Sequence, residues 1–425
     1  MEYGMRRVGL GAVGMWLAGA LGVVVAMGEA GCSANGRSDD VAVVSSELIG
    51  DALAGLTAQQ QADFVAARDV FNEVETVADG VGPVFNERAC GACHSVAATG
   101  GSGVQFEVRA GKLVGGVFDS LPNEGGQLFD LFSVTSLPAS ERTAIPGCTL
   151  PPNGEPVPAD ANVTALRRTT ALFGLGLVDA TPDATFQAIA AAQPVAIRGR
   201  APLVPNIAAG HPTVGKFGWK DQVPTLHQFS GDAYLNEMGI TNPEFRDEQV
   251  PQGNPSFIAP CDGHPGEPGV VEDDGDDVDA FTTFMTLLAP PPPPAIKGQA
   301  HSGDTIFTQI GCDGCHVRSI TSGPSEITAL SNKAYQPFSD FLVHDMGSLG
   351  DSIPGNGDVG LREMRTAPLW GLHFLAPTNL LHDGRATSVE DAILRHDGQG
   401  AAARNAFIAL PPGHKNNLLA FLGVL

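Results

Sequence analysis

The string Cys-x-x-Cys-His occurs twice, as Cys90-Gly91-Ala92-Cys93-His94 and as Cys312-Asp313-Gly314-Cys315-His316. A chain with 7 Cys and 11 His in 425 residues would produce far less than one copy by chance. Cysteines three apart in a helical turn reach the two vinyl groups on one haem edge, and the adjoining histidine turns its imidazole to the iron. The motifs therefore predict two covalently bound haem c groups, on Cys90, Cys93 and His94 and on Cys312, Cys315 and His316. Cys-x-x-Cys alone would equally suit zinc or a thiol redox pair, and the histidine in both copies argues against either. Phe85 and Phe307 each precede a motif by five residues and are expected to pack on the porphyrin edge.

The rest of the chain reads as an exported protein. Arg6 and Arg7 precede an apolar run from Val8 to Met27, so residues 1–31 read as a signal peptide and 32–50 as a polar tether. Three outcomes stay open: cleavage with lipid on Cys32, simple cleavage, or a retained anchor. Each places the remainder outside the cytoplasm, in the periplasm or facing it. Cys148 and Cys261 are left over; in an oxidising compartment they either pair or stand as separate thiols. A net charge of −23 argues against nucleic acid as a partner and suits either plain solubility or the steering of a basic redox protein.

High Gly (53) and Pro (32) with few aromatics predict helices joined by long irregular loops, with few strands. Helices are expected over about Ala62–Phe71, Leu166–Val178 and Asp183–Ala192, in the segment carrying Phe281, Phe284, Leu287 and Leu288, and over Asn416–Leu425. The fold expected is mainly α, with two cytochrome c-like domains. Residues 51–290 form the first, enlarged by a loop-dominated insertion over about 95–190; a proline-rich linker spans 291–296; residues 297–425 form the second. An internal echo supports duplication. Arg200-Ala201-Pro202-Leu203 resembles Arg365-Thr366-Ala367-Pro368-Leu369, and Trp219 to Leu226 stands where His382 to Val389 stands in the second half.

Several longer strings carry a family resemblance: Gly174-Leu175-Gly176-Leu177-Val178-Asp179, Phe217-Gly218-Trp219-Lys220, Glu237-Met238-Gly239-Ile240-Thr241-Asn242, Leu342-Val343-His344-Asp345-Met346-Gly347, and Leu381-His382-Asp383-Gly384-Arg385. From about residue 80 onward the chain resembles the di-haem oxidoreductases, sometimes labelled thiol oxidoreductases, and their relatives the bacterial di-haem cytochrome c peroxidases and MauG. The resemblance implies hydrogen peroxide as oxidant, reduced at the N-terminal haem, with a small redox protein as electron donor. It implies Trp219 as an electron-transfer residue between the haems, and Glu237 with Gln228 as the acid–base pair over the N-terminal haem. It implies His396 as second axial ligand of the C-terminal haem, with Met346 as rival, and His382 as a hydrogen-bonding residue. It also implies Ca²⁺ at Asn206, Thr366 and Pro368. No histidine lies between Ser95 and Gln193 to cap the N-terminal haem, so His211 and His227 are the nearest candidates. Two further readings are MauG-like oxidation of a protein or organic substrate, and plain electron carriage.

Overall fold

The computed structural model describes residues 48–263, 270–375 and 380–425. The export segment, Cys32 and nearly all of the tether lie outside the described residues. Among the described residues no helix is long and apolar enough to cross a membrane. Helix accounts for 35% of the structure, and the strands form small sheets.

The first core begins with a capping box. Gln60 N donates to Thr57 Oγ1 at 3.2 Å while Thr57 N donates to Gln60 Oε1 at 2.9 Å, starting the helix Ala58–Phe71. Its Phe64 and Phe71 meet Phe284 at ring separations of 5.4 and 4.6 Å. Phe284 belongs to Asp276–Leu287, whose first turn carries Asp276, Asp277 and Asp279 where the helix dipole favours anions. A second core repeats this pairing. Gln299–Gln309 crosses Pro412–Leu422, and Phe307 meets Phe421 at 5.3 Å. The crossing is close because Gly303 carries no side chain: a Cβ there would stand 2.0 Å from the Asn417 carbonyl oxygen.

The insertion departs from the loop expectation. Phe106–Val114 pairs antiparallel with Val117–Asp119, with Leu128–Phe129 and, in register from Phe106↔Arg168 to Gly111↔Val163, with Val163–Arg168. The cue was Gly115-Gly116, a two-residue turn with φ of 59° and 84°, the conformation that joins hairpin strands at no cost to glycine. The helix expected over Leu166–Val178 is likewise corrected. Val163–Arg168 is strand, because its β-branched start pairs across the sheet, and only Leu175–Asp179 is helical. The helix Asp183–Ala192 occupies its expected residues. Cys148 and Cys261 are joined in a disulfide that ties the insertion to the loop before the acidic helix.

The echoed strings occupy related places. Val343 bridges Arg200 on one side and pairs with Arg365 on the other, so the two strings flank one strand, Val343–Asp345.

Phe284 is fully buried between Phe64 and Phe71. Phe284→Ala should therefore destabilise the protein by about 3–5 kcal/mol, measured by denaturant unfolding; a loss under about 1 kcal/mol would mean that this aromatic trio does not hold the first core.

Candidate active site

Each Cys-x-x-Cys-His string forms one tight turn. His94 N donates to Cys90 O and His316 N to Cys312 O, both at 2.9 Å, so each histidine is held to the first cysteine of its turn. None of the four motif cysteines is in a disulfide. The His316 Nδ1 donates to the Phe338 carbonyl at 2.9 Å. The His94 Nδ1 donates to the Gly101 carbonyl at 3.1 Å, and the Thr170 backbone also steadies the ring. A carbonyl only accepts, so Nδ1 carries the proton and Nε2 keeps its lone pair. Burial lowers both histidines to about 4, which keeps them neutral and able to ligate.

His396 completes the C-terminal site. Ser388 caps the helix Val389–Leu394, and just beyond its end the His396 Nδ1 donates to Ala392 O at 2.8 Å. Its ring stands 6.4 Å from that of His316, centroid to centroid, at 56°. Two imidazoles on opposite sides of one metal need roughly this separation, given about 2.0 Å for each metal–nitrogen bond. The pair fits a porphyrin iron. The cavity beside them, about 390 Å³, is lined by both histidines, by Cys312 and Cys315, and by apolar side chains including Ile310, Leu372 and Ile393. Met346 lines the same cavity.

Trp219 borders this cavity at the end nearer the first motif. Its indole Nε1 donates to Arg168 O at 2.7 Å, and its ring meets that of His382 edge-on at 6.1 Å. Arg168 N in turn donates to His382 O at 2.7 Å, and Ser102 and Thr170 continue the lining toward His94. His382 is buried, and among the described residues its Nε2 has no hydrogen-bond partner, the Asp383 carboxylate standing 3.9 Å away.

Glu237 lies at the end of the helix Leu226–Met238, which Gly239 terminates at φ 79°. Its carboxylate accepts from Asn86 Nδ2 at 3.0 Å, and its backbone carbonyl accepts from Asn86 N at 2.8 Å. Burial, then the nearby Glu107 charge, push it up to about 8, against the pull of Asn86 and Arg109. Glu87 N donates to the Glu237 backbone carbonyl at 3.2 Å, so the end of this helix is tied to the segment leading into the N-terminal motif.

The structure does not bring Gln228 to Glu237. Nine residues along one helix put them on opposite faces, and the Gln228 amide is spent on Ile207 N and Pro205 O, at 3.0 and 3.2 Å. The three residues expected for Ca²⁺ do not converge on the cavity. Thr366 and Pro368 line it, with Thr366 O accepting from Ser339 Oγ at 2.7 Å. The Asn206 amide is engaged instead by Thr213 and Ala209 N, both at 3.0 Å. His211 is exposed, and both ring nitrogens of His227 face carboxylates, Glu244 at 2.9 Å and Asp279 at 3.1 Å. Phe307 packs 6.4 Å from His316, whereas the ring beside His94 is Phe71, at 6.1 Å, and Phe85 lies against Phe132.

His344, which the sequence marks with no role of its own, is buried, with Nε2 2.9 Å from Asp340 Oδ2 and Nδ1 3.7 Å from Cys315 Sγ. Burial alone would lower it, but the Asp340 and Cys315 contacts outweigh that and hold it up at about 10.

The sequence from residue 158 to 425 matches the family described as di-haem oxidoreductase, putative peroxidase, and the chain belongs to that family. Membership brings haem as cofactor and makes the protein a peroxidase-like oxidoreductase. No curated protein matches the sequence. Among solved structures, hydrazine synthase of Kuenenia stuttgartiensis, pressurised with xenon, aligns over 96% of this chain and 100% of its own at 14% identity and TM-score 0.38. The diheme peroxidase BthA of Burkholderia thailandensis aligns over 90% of this chain and 92% of its own at 14% identity and TM-score 0.36. At such scores the likeness carries no argument about fold or site, and the family assignment rests on the sequence match.

Glu237 makes a testable contribution to stability. With its acid held near 8 in the fold against 4.5 in an unfolded chain, its favourable share is complete below pH 4.5 and is lost as pH rises through 8. Glu237→Gln should therefore gain stability relative to the parent across that window. Thermal unfolding at pH 4 and pH 9 measures the difference; equal differences at both would place the carboxyl in water.

Proposed function

We propose that the chain is an exported two-haem c enzyme that reduces hydrogen peroxide at the N-terminal haem with electrons relayed by the C-terminal one. The observation that carries this reading is the unequal furnishing of the two motifs. His316 faces a second imidazole at 6.4 Å, whereas the N-terminal motif has beside it an acid, Glu237, that is held protonated. When bound, the haems supply redox-active iron for electron storage and for peroxide cleavage. Cys90, Cys93, Cys312 and Cys315 would anchor them by thioether bonds, with His94 and His316 as proximal ligands. His396 would close the C-terminal iron and leave it an electron carrier.

Glu237 does the proton chemistry. Cleaving the O–O bond requires moving a proton from one oxygen to the other, and a carboxylic acid within reach does this in both directions. Asn86 holds the carboxyl in place through its 3.0 Å bond. Trp219, in contact with both Arg168 and His382, lies on the route an electron would take between the sites. The donor of those electrons would be a small redox protein, attracted by a surface of opposite sign. The apolar N-terminal run would deliver the chain to the periplasm, where the disulfide and the thioether bonds can form.

The ferric spectrum of the holoprotein tests the asymmetry directly. One high-spin and one low-spin haem are expected, with fast consumption of stoichiometric peroxide. Two low-spin haems indifferent to peroxide would leave only electron carriage. Turnover with a reduced small cytochrome separates peroxide reduction from long-range oxidation of an organic substrate. His396→Met should raise the C-terminal potential and change its low-spin bands, and Glu237→Gln should slow peroxide cleavage by about 10²–10⁴-fold with both haem spectra intact.

A further inference from the structure

The inserted sheet places a buried acid near the partly exposed Glu237. Phe106–Val114 carries Glu107 and Arg109 on one face, and its pairing with Leu128–Phe129 brings Asp130 alongside. Asp130 is 2% exposed, and its Oδ1 has no hydrogen-bond partner among the described residues. The groups facing it are Glu155, Glu237, Glu107 and Arg109. Asn86 ties this region to Glu237: its Nδ2 donates to the Glu237 carboxylate at 3.0 Å, and its Oδ1 accepts from Leu131 N, next to Asp130, at 3.0 Å. On the other side, Asp130 N donates to Glu155 Oε2 at 3.3 Å, and Asp130 O accepts from Glu155 N at 2.9 Å. Glu155 is partly exposed.

Arg109 faces Asp130 and is ion-paired with Glu107. Glu107, Asp130, Asp232 and Glu237 all lie within its field or Asp130's. Glu107, Asp232 and Glu237 are partly exposed and Arg167 adds a second guanidinium near Glu107, so the acid of this group that must hold a proton is Asp130, which is shut away from water. Burial first, then neighbouring acids, raise Asp130 well above the usual range, in line with that requirement.

We propose that Asp130 is the proton-loading residue of this pocket: it returns a proton to Glu237 after each peroxide cleavage and is itself refilled from solvent past Glu155. The inference rests on the peroxidase reading of Glu237 and extends it. Reduction of one peroxide to two waters consumes two protons and two electrons, the electrons coming from the external redox protein. The loading step moves a proton only. The Asp130 O–H bond breaks, a Glu237 O–H bond forms, and the negative charge passes from Glu237 to Asp130. Solvent then supplies a proton to Asp130. Asp130 touches no reacting atom and works through Glu237.

The test uses the holoprotein with Asp130→Asn, Asp130→Glu and Glu237→Gln. Infrared difference spectra in H₂O and D₂O at pH 7 should show protonated-carboxyl bands, one lost in Asp130→Asn and another in Glu237→Gln. Stopped-flow mixing with one equivalent of peroxide should give the parental rate in Asp130→Asn, because Glu237 starts loaded. Steady-state turnover should fall about tenfold and recover in Asp130→Glu, whereas Glu237→Gln slows both phases. If Asp130→Asn keeps every carboxyl band, or slows single and repeated turnover alike, or slows neither, Asp130 loads nothing. A parent protein inert to peroxide would overturn the peroxidase reading itself, and the infrared bands would still report whether Asp130 holds a proton.

Discussion

The hydrogen bond from a histidine Nδ1 to a main-chain carbonyl sets everything that follows. His94 on Gly101, His316 on Phe338 and His396 on Ala392 all use it, and each leaves the Nε2 lone pair as the only free function of its ring. A carbonyl can aim a ring only if the backbone behind it is fixed. Phe338 is fixed by burial against Phe307 and Phe421, which join the two helices of the second core. Ala392 is fixed by the Ser388 cap, and Arg404 reaches back to the His396 carbonyl at 2.6 Å. Apolar packing thereby reaches the ligand geometry through one bond per ring, and the 6.4 Å spacing of His316 and His396 is its product.

The two halves reuse one plan and then diverge. Phe71 against Phe284 in the first corresponds to Phe307 against Phe421 in the second, and each pair leans on its motif histidine through Phe71 or Phe307. Thr225 and Ser388 cap helices at echoed positions. Beyond those caps the first half runs for three and a half turns to Glu237, while the second ends early at Leu394 and presents His396. Trp219 and His382, echoed in sequence, face each other at 6.1 Å where the halves meet. A difference in helix length after a shared cap is enough to put an acid at one site and an imidazole at the other.

The legible parts of the chain were those whose chemistry is local. The motif turns and the helix Asp183–Ala192 follow from spacing along a few residues. What escaped was set by pairing across long separations. Phe71 lies 23 positions before His94 and reaches it only because its helix packs on the acidic one. Gln228 and Glu237 looked like partners in the linear string, yet helical periodicity turns them apart. The sheet of the insertion was announced by Gly115-Gly116 between alternating residues, but the surrounding glycine and proline content masked that signal. Asp130 had no local signature, because nothing beside it in sequence tells that a strand from residue 106 will wall it in.

Protons and electrons want different dielectric surroundings, and the buried charges are sorted accordingly. The C-terminal cavity is lined by Arg365 and the protonated His344, each beside a buried carboxylate, Asp221 at 3.6 Å and Asp340 at 2.9 Å. Buried cations favour a reduced centre by stabilising an added negative charge. Around Arg109 lie Glu107, Asp232 and Glu237, and burial with mutual repulsion raises the last two toward the protonated form. On the proposed reading each field matches its task, since one site holds electrons and the other must be rich in acid. Exchanging the fields would fail on both counts: cations beside Glu237 would strip its proton at neutral pH, and unpaired carboxylates beside His316 would repel the arriving electron. The indole of Trp219 suits the boundary because it carries no charge for either field to act on.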